Sequence, residues 1–126
     1  MENRTILLCD DNLVNRKLVS AMLHGHAYNI IETDCGHACI NKALQHAEEI
    51  DLVLLDISLK DISGIEVCHA IRSSSMANAQ SLPIIAYTAH ALEDEHKNYI
   101  SNGFSDVLTK PVVREVLFSM LAKHLG

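Results

Sequence analysis

Three short segments, "TILLC" from Thr5 to Cys9, "LVLL" from Leu52 to Leu55 and "PIIAY" from Pro83 to Tyr87, are apolar on consecutive residues. A strand with one solvated face alternates apolar with polar, whereas a run without alternation describes a strand covered on both faces, as in a parallel sheet. Tyr28–Thr33 and Asp106–Thr109 add two weaker runs. Between the runs the apolar spacing turns helical. Val14, Leu18, Ala21 and Met22 form one stripe, and Val113, Val116, Leu117, Met120 and Leu121 another; each is expected to face a core. Gly36 and Gly103 punctuate joints, Gly103 where a helix starting near Ala91 needs a left-handed terminating residue. Residues 72–83, "RSSSMANAQSLP", are polar and small, as surface connections are. Five strands alternating with five helices define an α/β sandwich, a parallel sheet with helices on both sides.

At 126 residues and 48% hydrophobic, the chain has the size of one domain with a real core, and a single domain over residues 1–126 is expected. The net charge of −6 and the lack of a basic run argue against nucleic acid or an anionic membrane as partner. No apolar stretch approaches the roughly 20 residues of a membrane span, and "MENRT" is polar, so a cytoplasmic location is the expectation. The four cysteines, Cys9, Cys35, Cys39 and Cys68, lack C-x-x-C spacing and read as reduced, partly buried thiols.

Ligands of open parallel sheets bind beyond the carboxyl ends of the strands. There the first run delivers Asp10 and Asp11, the third Asp56, the fourth Thr88 and the fifth Lys110. Each has an ordinary explanation alone. Asp10, Asp11 and Asn12 can cap the following helix, Asp56 can be a loop residue, Thr88 a cap and Lys110 a solvated charge. Those explanations do not account for three carboxylates, a hydroxyl and an ammonium at one edge. Carboxylates converging there repel unless a cation sits among them, and oxygen ligands without His or Cys select magnesium, manganese or calcium. Magnesium, which keeps several waters and needs few protein ligands, is the expected ion. A Lys and a hydroxyl beside it suit the oxygens of a phosphoryl group. Asp56, alone at the end of its strand, is the candidate nucleophile toward phosphorus, forming an acyl phosphate, with Asp10 and Asp11 paired for the metal.

"CDDN" after the first strand, "LLDISLKDISG" around Asp56, "YTAHA" after the fourth strand and "TKP" at the fifth, at these separations, resemble the receiver domain of two-component response regulators over essentially the whole chain. The resemblance implies a flavodoxin-like sheet in the order 2-1-3-4-5 and a phosphoryl group accepted by Asp56 from a partner phosphohistidine. It implies magnesium held by Asp11, Asp56 and the backbone carbonyl of Ser58, with Asp10 acting mainly through water. Lys110 would pair with the phosphoryl group and Thr88 would move to hydrogen-bond it. The Lys110–Pro111 peptide is expected to be cis. "DDNLVNR" and "TAHA" look like receivers of hybrid sensor histidine kinases, which pass the phosphoryl group to a histidine phosphotransfer domain. The implied partners are therefore a histidine kinase, through its phosphohistidine domain, and a phosphotransfer domain. The domain itself would be no enzyme beyond its own phosphorylation and autodephosphorylation. A chain ending just after its last helix fits a piece of a longer protein, with a membrane-anchored sensor kinase as a parent. The first helix, Asn15 to Leu23, is the candidate kinase-facing surface.

Departures from the family touch the switch. Val107 stands where many receivers carry an inward-turning aromatic, and Lys60 where the loop after the phosphoacceptor often has proline. Ser58 and His90 occupy positions that influence acyl-phosphate hydrolysis. "HALEDEHKNYISN" has a thin apolar face of Leu92, Tyr99 and Ile100, suited to a marginally anchored helix. His24, His26, His37, His46 and His124 read as helix-end and turn residues, since no complete ligand set surrounds them. Competing readings are a phosphorylation-independent interaction module, which ranks below a working receiver because the required residues are all present and which Val107 keeps open for the output step, and an aspartyl-nucleophile magnesium phosphatase, which normally has D-x-D rather than adjacent Asp10 and Asp11. A flavin or nucleotide carrier would need a Gly-rich loop that "DDNLVN" lacks.

Overall fold

The computed structural model describes residues 3–75 and 78–125. Its elements alternate strictly: β1 (Arg4–Cys9), α1 (Leu13–Leu23), β2 (Tyr28–Thr33), α2 (Gly36–Gln45), β3 (Leu52–Asp56), α3 (Gly64–Arg72), β4 (Ile84–Thr88), α4 (Glu93–Ser101), β5 (Asp106–Thr109) and α5 (Arg114–Leu125). All strand pairs are parallel, in the order β2-β1-β3-β4-β5. Residues 76–77 of the polar connection lie outside the described residues.

The unbroken apolar runs follow from two cores, one on each face. Ile6, Leu8, Leu52, Leu54, Ile85, Tyr87 and Leu108 point to the α1/α5 side. Leu7, Cys9, Val53, Leu55, Ile84, Ala86 and Val107 point to the side of α2, α3 and α4. Every residue of β3 and β4 is buried, so alternation has no solvent to report.

The helical stripes need correction. In α1 the buried residues are Val19 and Leu23, while Val14 is 74% and Leu18 41% exposed. A polar anchor sets this phase: Arg16 Nη1 donates to the Asp10 carbonyl at 2.7 Å, its Nε lies 3.3 Å from Glu32, and Ser20 Oγ donates to Glu32 at 3.2 Å. Turning Val14 and Leu18 inward would break those bonds. In α5, Leu117 and Leu121 are buried, but Val116, and Val113 just before the helix, are about half exposed. Along α4 only Tyr99 is buried, its hydroxyl donating to the His90 carbonyl at 3.1 Å.

The helix ends carry identifiable stops. Asn12 caps α1 by accepting from the Asn15 amide at 3.0 Å. Gly103, at φ +104°, supplies the left-handed residue after α4. Gly36 is no joint of that kind: it opens α2 against Ile62, where a Cβ would lie 2.5 Å from Ile62 Cγ1. His26 is occupied by Arg114 at 3.1 Å and by the Phe118 ring at 4.6 Å, in keeping with a structural reading. All four cysteines are free, Cys35 half-buried and the others buried. Among the described residues no helix is long and apolar enough to cross a membrane.

Candidate functional site

Strand order decides which carboxylates meet. The chain leaves β1 toward β2 in one direction and reaches β3 on the other side, so the ends of β1 and β3 flank the switch point of the sheet. Asp10 and Asp11 follow β1 and Asp56 closes β3, and one carboxylate oxygen from each lies within 4.8 Å of the others. Among the described residues no His or Cys joins such a group.

Asp10 is wholly buried and Asp56 nearly so. Lys110, the residue after β5 and the first of a cis Lys110–Pro111 peptide, places Nζ 3.1 Å from Asp56 Oδ2 and 3.4 Å from Asp10 Oδ2. The same ammonium lies 4.8 Å from the centre of the Tyr87 ring. The remaining contacts of the two acids are backbone amides, Ser58 N to Asp56 Oδ1 at 3.0 Å and Asn12 N to Asp10 Oδ1 at 2.9 Å. The Lys110 ammonium thus reaches two of the three clustered carboxylates. Burial pushes the Asp56 carboxyl above the usual range, with Asp10 adding to it; the Ser58 amide and Lys110 oppose without cancelling it. Burial and the two acids likewise push the Tyr87 phenol up to about 12.

One atom can take a further positive partner. Asp10 Oδ2 is buried and accepts no hydrogen bond from the described residues; the Lys110 ammonium 3.4 Å away, which it shares with Asp56, offsets its charge only in part, and a cation would complete it. The donor set is all oxygen, which suits a hard divalent ion.

The other sequence candidates lie on the same edge in different roles. Thr88 ends β4; its Oγ1 accepts from the His90 amide at 3.0 Å, which leaves its proton free to donate. It does not cap α4, whose first turn is tied by Leu92 N to Glu95 at 3.2 Å. Ser58, Lys60 and His90 are exposed around the edge, and Val107 is buried in β5. Reasoning from sequence missed two supports of the site. Arg16, four residues beyond the cap of α1, braces the Asp10 backbone, and Tyr87, the neighbour of Asp56 in the β3–β4 register, lies beneath the ammonium. Spacing from the cap was a signal for Arg16; none pointed to Tyr87.

A doubly wound parallel sheet with clustered acids at its switch point, and a Lys and a Thr on neighbouring strands, defines a class of phosphoryl-handling domains. Residues 6–122 match the response regulator receiver domain family, and the chain belongs to it. It is 34% identical over 120 residues to the signal transduction histidine-protein kinase BarA of Escherichia coli K12, covering 95% of this chain and 13% of that kinase. The sensor protein GacS of Pseudomonas syringae is also 34% identical, over 122 residues, with 96% and 13% covered. Among solved structures, the receiver domain of the sensor histidine kinase PA1611 from Pseudomonas aeruginosa superposes with a TM-score of 0.86 at 31% identity, covering 98% of both chains; that domain was solved with magnesium coordinated in its active site cleft. The chemotaxis protein CheY4 of Vibrio cholerae shares the fold, with a TM-score of 0.87 at 23% identity over 97% of this chain and 98% of that one. This chain is therefore a two-component signalling domain of the kind found in hybrid sensor kinases.

Proposed function

We propose that Asp56 accepts a phosphoryl group from a phosphohistidine on a partner kinase and holds it as an acyl phosphate. The observation that carries this reading is the Asp56 carboxylate at the end of the central strand, 3.1 Å from Lys110 and clustered with Asp10 and Asp11. Asp56 oxygen attacks phosphorus, the phosphorus–nitrogen bond to the donor imidazole breaks, and the imidazole leaves with its electron pair. Asp11, Asp56 and the Ser58 carbonyl would hold magnesium, with Asp10 acting through water. Bound there, the ion neutralises the carboxylates and withdraws charge from the phosphoryl oxygens. Lys110 pairs with the phosphoryl group, and Thr88 turns its free proton toward it. Ser58, Lys60 and His90 border the path a hydrolytic water must take, so they modulate acyl-phosphate lifetime.

Partner recognition falls to α1, which begins at the acidic edge and exposes Leu13 (56%), Val14 and Leu18. An exposed apolar row beside a phosphoacceptor suits the helices of a phosphohistidine domain, either of a kinase or of a phosphotransfer protein. In a hybrid kinase such a receiver works on the cytoplasmic side, where the phosphodonor is made. The domain promotes its own phosphorylation and dephosphorylation and no other reaction.

Intact-mass spectrometry after incubation with acetyl phosphate tests the reading. A gain of one phosphoryl group that needs magnesium and is lost in Asp56→Asn is expected. Retained labelling in Asp56→Asn would overturn the assignment of the nucleophile. No gain in the wild type despite magnesium binding would favour a phosphorylation-independent interaction module.

A further inference from the structure

The loop after Asp56, residues 57–63, carries the Ser58 carbonyl and Lys60, and its ends are fastened by backbone bonds. Ile57 N donates to the Tyr87 carbonyl at 3.3 Å and Gly64 N to the Ile57 carbonyl at 2.9 Å. Between those ends lies Asp61, whose carboxylate reaches across to α2. There it accepts from the Gly36 amide at 2.8 Å and from the His37 amide at 2.9 Å. These are the first two amides of α2, which have no acceptor inside the helix. The helix's own N-cap, Cys35, offers only a thiol 3.5 Å from the Ala38 amide. Ile62, next in the loop, fills the space left by the missing side chain of Gly36.

We propose that Asp61 is a positioning residue for the phosphorylation site, a clasp that fixes the 57–63 loop to the N-terminus of α2 and so holds the Ser58 carbonyl in place for the metal. The metal half of this inference rests on the function proposed above; the clasp itself rests on the Asp61 contacts. Two amides and the helix dipole favour the ionised carboxylate, holding the Asp61 carboxyl well below the usual range, so the clasp stays charged and closed at neutral pH. A proline in place of Lys60 would stiffen the loop by restricting its backbone; here the restraint comes instead from a charge-assisted contact between elements. Asp61 is not among the clustered acids and its carboxylate is turned to the α2 amides, so it acts through where the loop sits.

The experiment separates positioning from mere helix capping. Asp61→Ala should speed metal-free hydrogen exchange at the Ser58, Leu59 and Lys60 amides about tenfold. It should weaken magnesium affinity, read by amide chemical shifts, about tenfold. Cys35→Ser added to Asp61→Ala restores a cap to α2 without restoring the link to the loop. Stability should then recover in that double variant while exchange and magnesium affinity do not. Recovery of all three with Cys35→Ser, or unchanged loop exchange in Asp61→Ala, would overturn the proposal. A wild-type domain that shows no magnesium-induced shifts would instead refute the metal reading, and the metal-free exchange would still decide the clasp.

Discussion

Lys110 and Asp56 meet across the sheet edge, Nζ 3.1 Å from Oδ2, yet the Asp56 carboxyl remains pushed upward because burial outweighs the single cation. The edge is short of positive charge. That deficit suits the divalent ion and phosphoryl group proposed for this edge, and it leaves a signature in the metal-free protein.

Asp56 holds its proton more tightly when folded than when unfolded. Its favourable contribution to folding is therefore present below the unfolded value, near 3.9, and lost as pH rises through the folded value. Asp56→Asn removes that loss. Metal-free Asp56→Asn should melt higher than wild type at pH 7, with the gap closing near pH 3.5. Calorimetry at the two pH values checks this; a gap independent of pH would contradict it.

Magnesium held by the assembled acids, as proposed above, should stabilise the wild type, since the unfolded chain does not assemble them. At a hundredfold excess over Kd the gain is about 2.7 kcal/mol. Asp11→Ala should lose most of that gain, read by thermal shift titrations with and without chelator, and should lose magnesium-dependent labelling with it, read by intact mass.

Removing the ammonium leaves buried acids facing one another. Lys110→Ala should cost about 2 kcal/mol at pH 7 and less at pH 4, where protonation relieves the repulsion. Urea denaturation at both pH values reads the difference. An equal cost at both would mean that the side chain contributes through its packing over Tyr87. In the phosphorylated protein the same substitution should leave the conformation of the β4–α4 region unchanged from the free form, as amide shifts would show.

Gly64 lies against the backbone of Asp56. A Cβ there would run into the Asp56 carbonyl oxygen and lie 2.8 Å from the Ile57 Cα. Because both are backbone atoms, Gly64→Ala should cost about 1–3 kcal/mol and slow labelling by acetyl phosphate, even though it removes no functional group. Labelling at the wild-type rate would show that the loop yields without moving Asp56.

The exposed row on α1 gives a prediction of the opposite kind. Val14→Asp and Leu18→Asp should leave the melting temperature within about a degree, because surface changes of this sort move stability by roughly 0.5 kcal/mol or less. Labelling by acetyl phosphate should also be unchanged. Transfer from a phosphohistidine protein should fall about tenfold or more. A stopped-flow or gel assay with a histidine phosphotransfer domain as donor distinguishes the two.

Much of this site was legible before any coordinates. Burial of a strand on both faces leaves its mark on every residue of the strand, which is why the runs ending at Cys9, Asp56 and Thr88 foretold the sheet and the edge where their polar successors gather. The family motifs then assigned roles to Asp10, Asp11, Asp56, Thr88 and Lys110 because those positions are strand ends, and a strand end is set by local sequence.

Helix phase was different. Val14 and Leu18 have a valid apolar spacing, and so do Val19 and Leu23; local sequence does not choose between them. The choice was made by Arg16 and Ser20, whose shared partner Glu32 reaches them only once β1 and β2 lie side by side. The Asp61 clasp has the same origin. A carboxylate in a loop and two unpaired amides 24 and 25 residues earlier have no relation along the chain, and they meet because α2 and the loop after β3 pack on one face of the sheet. Pattern along the chain records how deeply each residue is buried, whereas the pairing of polar groups from distant segments is settled when the elements pack.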